Sequence, residues 1–255
     1  MTSFALAREA FAFLRANRRL AMTVSLPALI ICTFSFMLQF MGAIGLSSVL
    51  GLLTLAAMVP ALTAWHRLSV AGSPDRGNGG LIGWDGRELR YFLMMMALWL
   101  LIFVATLVLS GIFSMIVGAP VVEGAGAPPE TEIARFSSHI VALMAIIVVI
   151  SFVIVASFGL VLPAAATGAA LSLGAAYRLA KGRIRSIAGA FMIVFVCSTM
   201  LGSIFLMVAT LTAWVPGAGL IIGYGVFVLQ FAAALVGAEV LSCVYRDLQQ
   251  PPDDE

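Results

Sequence analysis

Glu239 is the one acidic side chain inside the long apolar stretches of this chain, and Gln230 lies nine residues before it. A charge at the centre of a bilayer costs roughly 2.5–3.5 kcal/mol on insertion scales, so a carboxylate there needs a partner or a use. The two residues therefore form a candidate intramembrane polar site. At this site, Glu239 either pairs with an arginine from another helix or takes part in moving a proton or a cation.

The depth of Glu239 favours pairing over transport. Glu239 precedes Tyr245 by six residues, which corresponds to only about 9 Å along a helix. A carboxylate at that depth can be hydrated or paired near the membrane interface. Gln230 lies deeper, and we expect its amide to make an interhelical hydrogen bond, which is worth about 0.6–2 kcal/mol.

Basic side chains form two dense groups just before apolar stretches. These residues are Arg15, Arg18, Arg19, Arg178, Lys181, Arg183 and Arg185. Each Lys or Arg near an anionic leaflet contributes about 1 kcal/mol of binding. The groups are therefore candidate contacts for anionic lipid headgroups or for a membrane-protein partner, and the alternative is that they only orient the chain in the membrane.

The sequence contains no motif that requires catalysis, a cofactor or a metal. It has no H-E-x-x-H, no pair of carboxylates within one apolar stretch and no cofactor fingerprint. The three cysteines have no C-x-x-C spacing, and His66 and His139 fall at opposite ends of the predicted spans. We therefore predict that the protein is not an enzyme and holds neither metal nor cofactor. Its net charge of +2 gives no reason to expect a nucleic-acid partner.

The composition predicts which elements must position these residues. The chain is 62% hydrophobic and 10% charged, whereas soluble domains carry roughly 25% charged residues. Because a soluble fold of this composition would expose large apolar patches, we predict an all-α polytopic membrane protein that forms a single domain over residues 1–255. Spans of roughly 20 apolar residues are expected at 20–41, 43–65, 91–118, 138–163, 187–213 and 218–244.

The distribution of basic residues predicts the orientation of these spans. Numbering the connecting segments alternately places thirteen of the fourteen Lys and Arg residues on one side and only Arg135 on the other. Cytoplasmic loops carry an excess of Lys and Arg, so we predict that both termini are cytoplasmic and that the spans form three hairpins.

Short segments before the hairpins are expected to be amphipathic helices. In 4–19, Arg8, Arg15 and Arg19 share one stripe, with Leu6 and Ala10 among the apolar residues elsewhere. In 171–186, Arg178, Lys181 and Arg185 form a similar stripe. Before the third span, Asp85 and Glu88 have the spacing of a capping box.

Three short features carry a resemblance to a known group. With its basic segments, the Leu162-Pro163-Ala164-Ala165 step and the closing Tyr245-Arg246-Asp247-Leu248, the chain resembles uncharacterised bacterial multi-pass membrane proteins. That group is similar to the membrane domain attached to some glycerophosphodiester phosphodiesterases. The resemblance implies a six-helix protein of the bacterial inner membrane. It brings no catalytic residue, because the catalytic domain has no counterpart here.

Two functions from different classes remain open. The first is a non-enzymatic inner-membrane protein with a scaffold, accessory or lipid-interacting role, which the basic segments favour. The alternative is a transporter or channel component that uses a polar site near Glu239 and Gln230. Spans two and four contain Pro60 and Pro163, and interrupted helices often line substrate sites.

Overall fold

A computed structural model describes residues 1–41, 44–73, 84–117, 129–212, 214–215 and 217–249. The side chain of Arg135, most of the predicted outer loop and the acidic C-terminus lie outside the described residues. Within the described ranges the chain forms helices and no strands. The helices are α1 Ser3–Ala16, α2 Arg18–Phe40, α3 Ile44–Ala71, α4 Gly86–Val117, α5 Pro129–Phe158, α6 Val161–Ala166, α7 Leu173–Ala180, α8 Ile184–Leu211 and α9 Ala218–Gln249.

Six of these helices are long and apolar enough to cross a membrane, which confirms the predicted number of spans. They are α2, α3, α4, α5, α8 and α9. Two of them continue past their predicted ends: α3 runs to Ala71 rather than 65, and α9 runs to Gln249 rather than 244. Their polar last turns remain helical because their side chains bond to one another, as described below.

The predicted fourth span is interrupted near its end. Helix α5 ends at Phe158, and the short helix α6 begins at Val161. A Cβ atom at Gly159 would collide with the carbonyl oxygen of Val155 and would lie 3.0 Å from the Leu241 side chain. Glycine therefore permits the close approach of α9 at this break. Helix α6 then packs against α3, α4 and α9.

The two amphipathic segments are helical, but each is interrupted before its last basic residue. Helix α1 ends at Ala16, and the backbone N–H of Asn17 bonds to Phe13, so Arg19 belongs to α2. Helix α7 ends at Ala180, so Arg185 belongs to α8. The apolar face of α1 is buried through Leu6 and Ala10 against α8 and α9.

The long helices pack as a ring with one tightly closed end. Helix α3 contacts α4, α4 contacts α5, α5 contacts α8, α8 contacts α9, and α9 returns to α3, while α2 packs along α3 outside the ring. The buried apolar core lies mainly at the end formed by α1, α6 and α7, which we call the basic end. Towards the other end, side chains such as Met115 and Leu211 are exposed.

Candidate functional site: a buried polar cluster beside an apolar cavity

Polar side chains converge at the basic end, where the last turns of α3 and α9 meet the first turns of α4 and the helix α1. We call this group the polar cluster. It consists of Glu9, Thr63, His66, Arg67, Ser69, Glu88, Tyr91, Glu239, Ser242, Cys243 and Arg246.

An ion pair between Arg67 of α3 and Glu88 of α4 is the most deeply buried part of the cluster. Both terminal nitrogens of Arg67 donate to Oε1 of Glu88, at 3.1 and 3.2 Å. The Arg67 side chain is 4% exposed and that of Glu88 is fully buried. The Thr63 hydroxyl lies 3.3 Å from the same oxygen and 3.0 Å from the Pro60 carbonyl, so its single proton is shared between these two acceptors. Because removing a buried charge from its partner is strongly destabilising, this pair holds α3 against α4.

Glu88 also closes the predicted capping box at the start of α4. Its Oε2 accepts the backbone N–H of Asp85 at 3.1 Å, and Oδ1 of Asp85 accepts the N–H groups of Arg87 and Glu88. The hydrogen bond with the Glu88 side chain, together with these backbone donors, lowers the pKa of Asp85 to about 2. One carboxylate thus begins the helix and binds the neighbouring helix at the same time.

His66 links three helices within the cluster. Its Nδ1 lies 2.6 Å from the Ser242 hydroxyl of α9, and its Nε2 lies 3.3 Å from the Tyr91 hydroxyl of α4. Ser242 already donates its proton to the Ala238 carbonyl at 3.1 Å. Its oxygen is therefore an acceptor for a proton on Nδ1, which leaves Nε2 to accept from Tyr91. A neutral imidazole satisfies both contacts.

Glu239 lies at the centre of the remaining contacts and is fully buried. Its Oε1 accepts hydrogen bonds from Ser69 at 2.7 Å and from the Cys243 thiol at 3.2 Å. Its Oε2 has no hydrogen-bond partner among the described residues. No arginine forms a direct ion pair with Glu239 within the described part of the chain.

Arg246 stands beside Glu239 and joins α9 to its neighbours. It donates to the backbone carbonyl of Ser69 at 3.3 Å and to Glu9 of α1 at 2.9 Å. The next residue, Asp247, pairs at 3.0 Å with Arg183, which lies directly before α8. The last turns of α9 are therefore bonded to α1, α3 and α8, and this bonding extends the helix beyond its predicted end.

A cavity of about 510 Å³ lies inside the ring next to the cluster. All five ring helices and α6 contribute to its wall, and most of the lining side chains are aliphatic or aromatic, including Met95, Phe152 and Phe195. His66 and Tyr91 line its basic end, while Ser198 and Gln230 line it on α8 and α9. Its size falls within the range of about 300–1,000 Å³ that is usual for sites that bind small molecules.

The structure separates the residues of the predicted polar site. Glu239 lies within the cluster, whereas Gln230 is exposed and lines the cavity further along α9. Nine helical residues correspond to a rotation of about 180°, so the two side chains leave opposite faces of α9. The Gln230 amide makes no hydrogen bond within the described part of the chain, so the expected interhelical bond is not found there.

The basic side chains that are predicted to contact anionic lipids or a partner lie mostly at the surface. Six of the seven are exposed: Arg15, Arg18, Arg19, Arg178, Lys181 and Arg185. The seventh, Arg183, is half-buried in its ion pair with Asp247. The exposed residues remain available to a lipid headgroup or a partner.

Sequence reasoning did not identify Arg67 and His66 as parts of a buried cluster. Both residues follow the predicted end of a span, where a basic side chain is usually solvated. One pattern was available: Arg67, Glu88 and Tyr245-Arg246 all lie within a turn or two of the same predicted interface. That pattern does not specify which of these ends touch, because touching depends on how the helices pack.

No known protein family, curated protein or solved structure matches this chain. The resemblance to the membrane domain of glycerophosphodiester phosphodiesterases therefore stays a prediction.

The buried pair gives a prediction about stability. Replacing Arg67 with Met removes the cation that is bonded to Oε1 of the buried Glu88 carboxylate, and we expect a loss of about 3–5 kcal/mol of unfolding free energy. The double variant Arg67→Met/Glu88→Gln removes both charges and is expected to recover most of that loss. Thermal unfolding in mild detergent measures both effects.

Arg90→Gln is the matched control for this experiment, because Arg90 is an exposed arginine on the same helix as Glu88. We expect its unfolding temperature to stay close to that of the wild type. If Arg67→Met and Arg90→Gln unfolded at the same temperature, the buried pair would not hold α3 and α4 together.

Proposed function

We propose that the six apolar helices cross the bacterial inner membrane as three hairpins, with both termini and the basic end in the cytoplasm. The packing of α2 on α3, α4 on α5 and α8 on α9 supports this arrangement. The excess of Lys and Arg in the segments of the basic end supports its orientation.

Thiol labelling of intact cells and of inverted vesicles tests this topology, using single cysteines at Ser73 and Gly182 in a variant that lacks Cys32, Cys197 and Cys243. Both positions are exposed and lie beside basic segments. We expect a membrane-impermeant reagent to label both only in inverted vesicles. Labelling of the two positions from opposite sides would refute the topology.

We propose that the protein is a non-enzymatic, lipid-interacting component of the membrane, with a scaffold or accessory role. The observation that carries this proposal is the cavity of about 510 Å³ inside the ring, with its aliphatic and aromatic wall. An apolar molecule from the surrounding bilayer restores the dispersion contacts that an open apolar wall lacks. The cavity is therefore suited to an apolar or amphipathic membrane molecule.

The polar groups of the cavity favour a ligand with one hydrogen-bonding group. Gln230 offers both a donor and an acceptor to the cavity, and neither is used by the described residues. Tyr91 donates to His66 and keeps its oxygen free to accept. His66, which lines the cavity, already contacts Ser242 and Tyr91, and Arg67 and Glu88 behind it are bonded to each other. A neutral molecule with a hydroxyl or carbonyl group therefore fits this wall better than an ion does.

The cavity proposal is tested by filling the cavity. Ala234 lines it, and Ala234→Phe places a ring inside the space. We expect the wild-type protein in mild detergent to retain a stoichiometric apolar molecule, detectable by solvent extraction and mass spectrometry. Ala234→Phe is expected to lose that molecule, because the added ring occupies the same volume.

The control is Ala145→Phe, the same substitution at an exposed position of α5 that does not line the cavity. It is expected to retain the molecule. Equal retention by Ala234→Phe and wild type, or a wild-type protein without any stoichiometric molecule, would refute the cavity proposal.

A transporter is the second candidate, because Oε2 of the buried Glu239 has no hydrogen-bond partner among the described residues. An unsatisfied carboxylate oxygen is a place where a proton can be taken up. Glu239→Gln keeps the shape of the side chain and removes its proton-binding group. A proton or cation flux in liposomes that this variant abolishes supports the transporter, and a flux that is absent or unchanged rejects it.

A further inference from the structure

A second, separate groove lies on the outside of the ring, between α2 and α9. It has a volume of about 210 Å³ and is lined almost entirely by apolar side chains. On the α2 side the lining begins at Arg18 and continues through Ala21, Ser25 and Leu29. These positions are three or four residues apart, so they share one face of the helix.

Small side chains are the reason that the groove exists. Ala21 and Ser25 on α2 and Ala232 on α9 leave a gap between the two helices, and α2 also packs along α3. Ser25 donates its hydroxyl to the carbonyl of Ala21 in its own helix, so it offers no free donor to the groove. The wall is therefore suited to a hydrocarbon chain.

The length of the groove matches one leaflet. Arg18 and Leu29 are eleven residues apart, which corresponds to about 16 Å along a helix. The hydrocarbon core of a bilayer is about 30 Å thick, so the groove extends over about half of it. A single acyl chain that enters at the Arg18 end would run to the middle of the bilayer.

Among the described residues that line the groove, Arg18 is the one ionisable side chain, and it lies at the basic end. Arg18 is exposed and has no ion pair within the described part of the chain, unlike Arg67, Arg183 and Arg246. Arg15 and Arg19 are exposed beside it. A guanidinium group is well suited to bind a phosphate, and the neighbouring positive charges favour a headgroup with net negative charge.

We propose that the groove between α2 and α9 is a binding site for one anionic phospholipid, with an acyl chain along Ala21, Ser25 and Ala232 and the headgroup phosphate at Arg18. This site is distinct from the central cavity, and the described residues that line the two spaces do not overlap. The proposal of this lipid site depends on one part of the proposed membrane topology, namely that α2 crosses the bilayer.

Native mass spectrometry of the delipidated protein tests the site by titration with phosphatidylglycerol or phosphatidylcholine. We expect the wild type to bind one phosphatidylglycerol more tightly than any further lipid and more tightly than phosphatidylcholine. Arg18→Gln is expected to weaken that first binding event about fivefold, because it removes one basic contact. Arg178→Gln removes an exposed arginine from α7, outside the groove, and is expected to leave it unchanged.

Ala232→Phe tests the acyl-chain part of the site by filling the groove. It is expected to weaken the binding of phosphatidylglycerol, whereas Ala145→Phe on α5 is not. Ala234→Phe, which fills the central cavity, is expected to leave this binding intact, so failure here is distinguishable from failure of the cavity proposal. Equal losses in Arg18→Gln and Arg178→Gln would overturn the site, because only diffuse attraction to the basic end would remain.

A measurement on the wild-type protein avoids any effect of the substitutions on folding. Phosphatidylglycerol with a photoactivatable group on its acyl chain is bound in nanodiscs, and the crosslinked peptides are mapped. Crosslinks at Met22, Leu29 or Val228, which line the groove, support the proposal. Crosslinks confined to α4 and α5 would overturn it.

Discussion

The structure depends on the ion pair between Arg67 and Glu88, which is buried where two apolar helices meet. Arg67 and Glu88 are almost completely buried, and each would be costly without the other. Their ion pair joins the end of α3 to the start of α4. The capping box uses the second oxygen of the same Glu88, so the position of the pair and the first residue of α4 are determined together.

The other polar side-chain contacts of the bundle lie at the same end as this ion pair. Around it, His66 contacts Ser242 and Tyr91, Ser69 contacts Glu239, and Arg246 contacts Glu9. Helix α6, made possible by the close approach at Gly159, fills the same end between α3, α4 and α9. The ring helices are bonded there through side chains, while along the rest of their length they meet through apolar contacts. The cavity lies where this bonding stops.

The two proposed binding sites lie where the helices present apolar side chains to each other and leave space between them. Inside the ring, aromatic and aliphatic side chains leave a space that no helix occupies, with Gln230 facing it. Outside the ring, the small side chains of α2 and α9 leave a groove that begins at Arg18, which has no ion pair within the described part of the chain. In both places the protein surface is mostly apolar with a few polar groups, which complements an amphipathic membrane molecule. The buried Arg67, Glu88 and Glu239 lie in the polar cluster and line neither space.

Much of this fold follows from composition and periodicity. Six apolar stretches of spanning length require six helices, because backbone groups in hydrocarbon must be hydrogen-bonded within each segment. The capping box of Asp85 and Glu88 was predictable because it is local, as was the burial of Leu6 and Ala10 on one face of α1. The interruption at Asn17 was not predicted, since it lies in a segment of continuous helical pattern. Of the two spans that were expected to be interrupted by a proline, the fourth breaks at Gly159, ahead of Pro163, and the second continues as a helix through Pro60.

By itself, the sequence determined that the chain is helical and apolar enough to cross a membrane. It also determined how many long helices there are and at which ends of them the basic residues lie. Only the tertiary structure decided that Arg67 meets Glu88, that Glu239 meets Ser69 rather than an arginine, and that Gln230 faces a cavity. The physical reason is that these contacts join residues from 21 to 170 positions apart. Local propensity sets where a helix starts and ends, whereas the partners of its buried polar groups depend on which faces pack together.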